Sequence, residues 1–429
     1  MSLFRRIARR GLRTWRRAMS PLALLAQSIA ARAHVTRVRW RRASARRSTA
    51  ITRVLLYSPA DLNVIDGSSI WVESVAATLA VGPEVWVTVP LRVQEKRTLL
   101  TNALRRLDRV EVLPSTTIWR GTVAPLDAAA ALDWIERLDD EEPFDAFILR
   151  GFEMCLAALA RPRFAGRLWS AYILEPERDA ESPEYGAAME AIAAFSRYVV
   201  AQTDQMRAAT EERAAAARGR TILLPPAIPS AGPRADDRPV QRLIYTGKFA
   251  PFYPVPDLID TFARLRAGRP DLEFHLVGDK LWRTADDHGY ADALRSRVAT
   301  VPGVVWHGGL SRAAVAKLLA RGGVGLSIWD YRYGSHWNDL VVSTKLLDYC
   351  SAGLPVVLTR TVAQESILGA DYPLFVDEFG EAEATIGRVL ADERLYRDAA
   401  ERCWHASRQF TYEAVHERLA PYLARRSGG

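Results

Sequence analysis

Lys345 and Asp348 stand three residues apart just inside a polar helix start, Ser343-Thr344, and their types point to phosphate and sugar chemistry. Ser343 or Thr344 can cap a helix whose free N–H groups and positive dipole end attract phosphate. Lys345 adds a mobile cation in the first turn. Asp348, close to the same face, offers a carboxylate able to accept two hydrogen bonds from a ribose diol. A nucleoside diphosphate fits that pairing. Gly353 then ends the helix and Pro355 opens a buried strand, Val356 to Leu358. An ordinary capped αβ unit accounts for the same residues in isolation.

Other segments add to this chemistry. Tyr245-Thr246-Gly247-Lys248 ends a strand with a glycine that admits close backbone approach and a cation that can reach a ligand. The chain has five lysines against 53 arginines, so Lys248 and Lys345 both falling at such positions is informative. Phe274 to Asp279 places Gly278 in a turn, with His275 alternating among apolar neighbours as a core histidine would. In Trp306-His307-Gly308-Gly309-Leu310, followed by a Ser311 cap, the glycines suit hydrogen bonding to a planar base, or a plain turn. The loop between Ser327 and Ser343 holds Trp329, Asp330, Tyr331, Arg332, Tyr333, His336, Trp337, Asn338 and Asp339, a density of rings and polar groups common where sugars stack. In the first half, Asp66-Gly67-Ser68-Ser69 opens a helix, with Ser68 or Ser69 as its cap. Arg150 and Glu175 follow strands, Arg150 as a phosphate contact or as the ion-pair partner of Glu153, Glu175 as a base. No D-x-D triplet ends a strand, so no metal site is expected.

The elements that must position these residues are parallel αβ layers. Strands are expected at Arg53–Tyr57, Val85–Val89, Ala146–Leu149, Leu168–Ile173 and Tyr198–Ala201, then at Leu243–Tyr245, Glu273–Val277, Val304–Trp306, Val324–Ser327 and Val356–Leu358. Leu224 to Val240, rich in Pro, Ala and charge, interrupts the rhythm as an interdomain linker. Two doubly wound domains follow, with ligands at the carboxyl ends of their strands and a cleft between them.

The formal charge of +8 belongs to an arm: residues 1–50 hold 14 Arg and no Asp or Glu, leaving the other 379 residues at minus six. Phe4, Ile7, Ala8, Leu12, Trp15 and Met19 fall on one side of a helical wheel, with Arg5, Arg6, Arg9, Arg10, Arg13, Arg16 and Arg17 on the other. That pattern suits an anionic lipid surface, and Arg37 to Arg47 with Trp40 extends the patch. An organelle transit peptide, a nucleic-acid-binding arm and a solvated tail are the competing readings, and nucleic acid is not the expected partner. No long apolar run or secretory signal is visible, and Cys155, Cys350 and Cys403 have no metal-ligand spacing, which suits a reducing cytosol and a chain at most peripheral to the membrane.

Ser343 to Val357 resembles the P-x-K-L-x-E-Y-x-A-x-G-x-P-V-V signature of GT-B glycosyltransferases, particularly family 4. The likeness is strong over residues 242–376 and weaker in the first half. It implies, after the basic arm at 1–50, an α/β GT-B fold of two facing Rossmann-like domains: an acceptor domain at 51–228, a donor domain at 229–410 and a helix crossing back at 411–429. It implies transfer of a sugar from a nucleoside diphosphate to an acceptor hydroxyl on a glycan or lipid-linked molecule, without a cofactor or metal. By the same resemblance Asp348 holds the donor ribose. Gly67, Gly247, Lys248, Gly278, Gly308, Leu310, Asn338, Thr344 and Lys345 also belong to the donor site, and Asp339, Arg150 and Glu175 are the catalytic candidates. In the family's G-R-x-x-x-x-K-G loop Lys248 takes the arginine's place, but Tyr253 and Pro254 replace lysine and glycine. Leu340 stands where the first glutamate of an E-x7-E pair belongs, with Asp339 or Asn338 as substitutes after a one-residue shift. A degenerate domain that binds without turnover and a nucleotide-sugar epimerase are the alternatives.

Overall fold

The computed structural model describes residues 21–45, 52–115, 125–175, 182–230, 232, 234–235, 240–281, 289–329 and 339–424. Runs such as Val54-Leu55-Leu56-Tyr57 are apolar at every position because both faces of their sheet are covered. Val54 and Leu56 face one core layer; Leu55 and Tyr57 face the other. The first sheet comprises β1 (Thr52–Tyr57), β2 (Val85–Pro90), β3 (Val110–Leu113), β4 (Ala146–Arg150), β5 (Leu168–Ala171), β6 (Tyr198–Ala201) and β7 (Thr221–Leu223). They lie in the order β3-β2-β1-β4-β5-β6-β7, every neighbour parallel. The second comprises β8 (Arg242–Thr246), β9 (Glu273–Val277), β10 (Val304–Trp306), β11 (Val324–Ser327), β12 (Val356–Thr359) and β13 (Phe375–Val376), in the order β10-β9-β8-β11-β12-β13, again parallel.

The three strands absent from the sequence-based expectation, β3, β7 and β13, are all sheet edges. Strand β5 stops at Ala171, two residues before the expected end, because Tyr172 adopts φ +57°. Two crossings join the domains and hydrogen-bond to each other. The Ile228 N–H donates to the Phe410 carbonyl at 2.9 Å, and the Tyr412 N–H donates to the Ile228 carbonyl at 2.9 Å. The helix Tyr412–Ala424 then lies on the first domain, where Val415 and Leu419 pack with Trp71 and Val75 of the helix Gly67–Leu79. That helix is buried from Ser69 to Leu79, sheet on one side and returning helix on the other.

The helix Pro21–Ala45 corrects part of the surface-patch expectation. Its residues Ala31, His34, Val38 and Arg42 form a buried stripe against β3. Arg39 pairs with Glu111 at 2.5 Å, Arg41 with Asp108, and Arg42 with Glu111 and Glu142. Three arginines of the supposed membrane patch are thus neutralised by the protein's own carboxylates. Trp40 remains 71% exposed. The amphipathic stretch Phe4 to Met19 lies outside the described residues. Among the described residues no helix is long and apolar enough to cross a membrane.

Candidate active site

Three glycine turns build one wall of the interdomain cleft. Strands β8, β9 and β10 are neighbours, and each runs into a glycine with positive φ: Gly247 (+136°), Gly278 (+140°) and Gly308 (+70°). The Gly247 N–H donates to Val277 at 2.9 Å and the Gly278 N–H to Gly308 at 2.8 Å, so the turns stack in register. A Cβ on Gly278 would stand 1.9 Å from the Gly247 carbonyl oxygen. Trp306 Nε1 donates to the Gly278 carbonyl at 2.8 Å and holds that turn from behind.

Over this wall lies Lys345, at the start of the helix Thr344–Ser351. Ser343 occupies the cap position but makes no side-chain cap bond, so the first helical N–H groups are left for another acceptor. Lys345 is 6% exposed and has no carboxylate partner among the described residues; its ammonium sits 3.6 Å from the Tyr253 ring centre and 3.5 Å from the Tyr245 hydroxyl. Burial, and then the charge of Lys248, press its pKa well below the ordinary lysine value. Tyr253, which replaces the family's second basic residue, is therefore a π platform for the first-turn lysine. Lys248 lies 4.6 Å over the Phe252 ring.

Asp348 is engaged before any ligand arrives. Its Oδ1 accepts from Arg312 Nη2 at 2.9 Å and Nε at 3.2 Å, while Oδ2 has no hydrogen-bond partner among the described residues. One carboxylate oxygen, not two, is open to a ribose diol. Arg312 also donates to the Tyr412 hydroxyl and the Ala227 carbonyl, both at 3.0 Å, so it ties the two crossings to the donor helix. Burial works against the Arg312 charge, and Asp348 more than offsets it. Burial pushes the nearby Glu73 carboxyl up against the pull of Arg312, and Asp348 adds to the rise. Arg312 went unnoticed in the sequence because one arginine among 53 carries no signal.

The opposite wall comes from the first domain. Asp66, not Ser68 or Ser69, caps the helix Gly67–Leu79: its Oδ1 accepts from the N–H groups of Ser68 and Ser69 at 3.0 and 2.9 Å. Its Oδ2 takes the ammonium of Lys280 from the second domain, 2.5 Å away. Burial pushes the Asp66 carboxyl up, but the Lys280 hydrogen bond and charge, with the Ser69 N–H, hold it below the usual range. Arg97 and Asp279 make a second bridge between the domains at 2.6 Å. Arg150 ends β4, donates to Ser68 Oγ at 3.1 Å, and lies 4.2 Å from the Tyr172 ring centre. No Arg150–Glu153 pair forms; the rings and Ser68 hold the guanidinium instead.

The cleft so enclosed measures about 550 Å³. It brings together Gly67, Arg150, Gly247, Lys248, Gly278, Leu310, Thr344, Lys345 and Asp348. Gly308 is outside the lining, and its carbonyl accepts from the Gly278 N–H. Glu175 and Asp339 are outside the lining. The Glu175 N–H donates to the Tyr185 hydroxyl at 2.5 Å, against the first-domain core. Asn338 lies outside the described residues. Leu340 explains the absent glutamate. Its carbonyl accepts from Thr203 Oγ1 at 2.6 Å, the Val342 N–H donates to Gln202 Oε1 at 3.3 Å, and Leu340 and Val341 pack on the first-domain core. This segment is an interdomain strap, where a carboxylate would be partly buried in apolar contact. Both nitrogens of His275 are engaged, by His307 and Glu273 at 2.9 Å, away from the cleft.

Residues 240–392 match the family model described as Glycosyl transferases group 1. No curated protein matches the chain by sequence. Solved structures share the fold. Sucrose-phosphate synthase from Thermosynechococcus elongatus is 14% identical, with 86% of this chain and 98% of that one covered at a TM-score of 0.64. HepE of Anabaena, in complex with UDP-glucose, is 14% identical with 87% and 99% covered at 0.64. A glycosyltransferase from Rickettsia africae is 9% identical with 87% and 98% covered at 0.61.

Proposed function

We propose that this GT-B chain, whose second domain carries the match to Glycosyl transferases group 1, moves a sugar from a nucleoside diphosphate to an acceptor hydroxyl. The observation that carries the reading is Lys345. A buried ammonium without a carboxylate is unfavourable unless an anion completes it. Lys345, Lys248 and the open N–H groups of Thr344 and Lys345 surround the place where a diphosphate would lie. As the sugar–oxygen bond breaks, charge gathers on the leaving diphosphate, and these fixed cations and dipoles stabilise it without a metal. Asp348 Oδ2 accepts from the ribose, with Arg312 fixing the carboxylate. Trp329, buried beside the cleft, offers a stacking face for the sugar. The UDP-glucose complex of HepE favours a uridine donor.

The acceptor is proposed to be a glycan or lipid-linked hydroxyl of a cell-envelope polysaccharide or glycolipid, in the cytoplasm at an anionic membrane. The exposed Trp40 supports that placement. Thermal-shift titration against UDP, GDP, ADP, TDP and CMP sugars is the test. One nucleotide should raise the melting midpoint, Lys345→Ala and Asp348→Ala should remove the shift, and EDTA should leave it unchanged. A shift that survives both substitutions would place the donor elsewhere. Leu340 in place of a glutamate favours one second reading, a domain that binds without turnover; hydrolysis or transfer of the bound sugar excludes it.

A further inference from the structure

We infer that the first-domain wall is a subsite for an acidic acceptor, in which Arg150 binds a phosphate carried by the acceptor molecule. The inference rests on the second-domain wall being the donor site. Asp66 and Asp348 are the carboxylates lining the cleft among the described residues, and each already has its cation, Lys280 and Arg312. Lys345 and Lys248 lie beside Gly247, on the donor side. Arg150, at the end of β4 in the other domain, has no carboxylate partner among the described residues.

Its setting is built rather than incidental. The guanidinium lies 4.2 Å from the Tyr172 ring centre and 5.6 Å from that of Trp71, and those two rings meet edge-on at 5.4 Å. Tyr172 is the one non-glycine residue with positive φ among those described, a conformation that the surrounding packing must impose. In that conformation the ring lies beside Arg150. Nη2 reaches Ser68 Oγ, and Nε is buried without a hydrogen-bond partner. Both rings lie to one side of the cation, and the rest of the guanidinium lines the cleft, where it can meet an oxyanion such as phosphate. Ser68 and Gln202 line the same wall. Gln202 uses Oε1 to accept from Val342, which leaves its amide NH2 as a further donor. Arg, hydroxyl and amide together suit the three oxygens of a phosphate monoester.

The test is isothermal titration of inorganic phosphate into the full chain saturated with the nucleoside diphosphate it binds, at ionic strength fixed with chloride. Saturable binding is expected, weakened about tenfold by Arg150→Gln, while nucleotide affinity stays within about twofold. Arg150→Lys, which keeps charge but loses the fork, should fall between, and melting midpoints check that both variants are folded. Phosphate binding that is absent, or indifferent to Arg150, overturns the subsite. So does a tenfold loss of nucleotide affinity in Arg150→Gln, which would make Arg150 a donor residue. If no nucleotide binds the unaltered protein, the donor reading fails separately. The same titration in a Lys345→Met background, with and without Arg150→Gln, then still decides the subsite.

Discussion

The two walls of the cleft handle positive charge differently. On the donor wall Lys345 is buried against rings with its pKa pressed down, a position that is unfavourable in the empty protein. On the acceptor wall Arg150 is only partly buried, with two rings to one side and a bond to Ser68. A lysine can meet burial by giving up its proton, whereas an arginine cannot. The donor wall is thus arranged to gain more from its ligand than the acceptor wall.

The sharpest way to break this contrast is Gly278→Ala. A side chain there meets the Gly247 carbonyl and is strained at φ +140°, so a loss of about 3 kcal/mol in stability is expected along with nucleotide binding. Chemical denaturation measures it, and a folded variant that still binds nucleotide would mean the stacked turns are not the donor platform. Asp348→Asn leaves Arg312 without its counter-charge and should cost about 3 kcal/mol. Arg312 bridges both crossings, so the melting transition should broaden if the domains uncouple. Lys345→Met should weaken nucleotide binding by about 2 kcal/mol yet raise the melting point of the empty protein. The sign with pH is fixed. Its folded pKa lies below the unfolded value of 10.5, so the unfolded chain holds more protons between the two, and stability of the empty protein rises with pH across that window. Nucleotide binding should take up a proton there, visible as a buffer-dependent heat. Asp66→Asn is the mildest change, under about 1 kcal/mol, because the asparagine still caps the helix and the lost Lys280 pair is partly solvated. The Asp66 contribution is present above its unfolded pKa of 3.8 and is lost as pH falls through its lower folded value.

The donor wall was legible in the sequence because each of its parts is local. A strand that ends in glycine, and a helix that opens with Ser-Thr-Lys, announce themselves within five residues. The acceptor wall was legible only at Arg150 and the helix start at Asp66 to Ser69. Arg150, Tyr172, Ser68 and Gln202 come from four separate segments, and nothing near Tyr172 signals a left-handed backbone. The two sheets were legible except at three edge strands, β3, β7 and β13. Leu340 read as a missing glutamate until the strap to Gln202 and Thr203 showed what the position does.

The outward carbonyl of Val110 on β3 accepts a 2.9 Å contact from His34 Nε2, and the Val112 N–H lies 3.4 Å from the same atom. The imidazole stands where a further strand's backbone would stand, and the helix Pro21–Ala45 shields the row behind it. An open parallel edge is a template on which another polypeptide can add. His34 and its helix are therefore a terminator. A chain shortened past residue 45 should keep its sheet yet self-associate along β3.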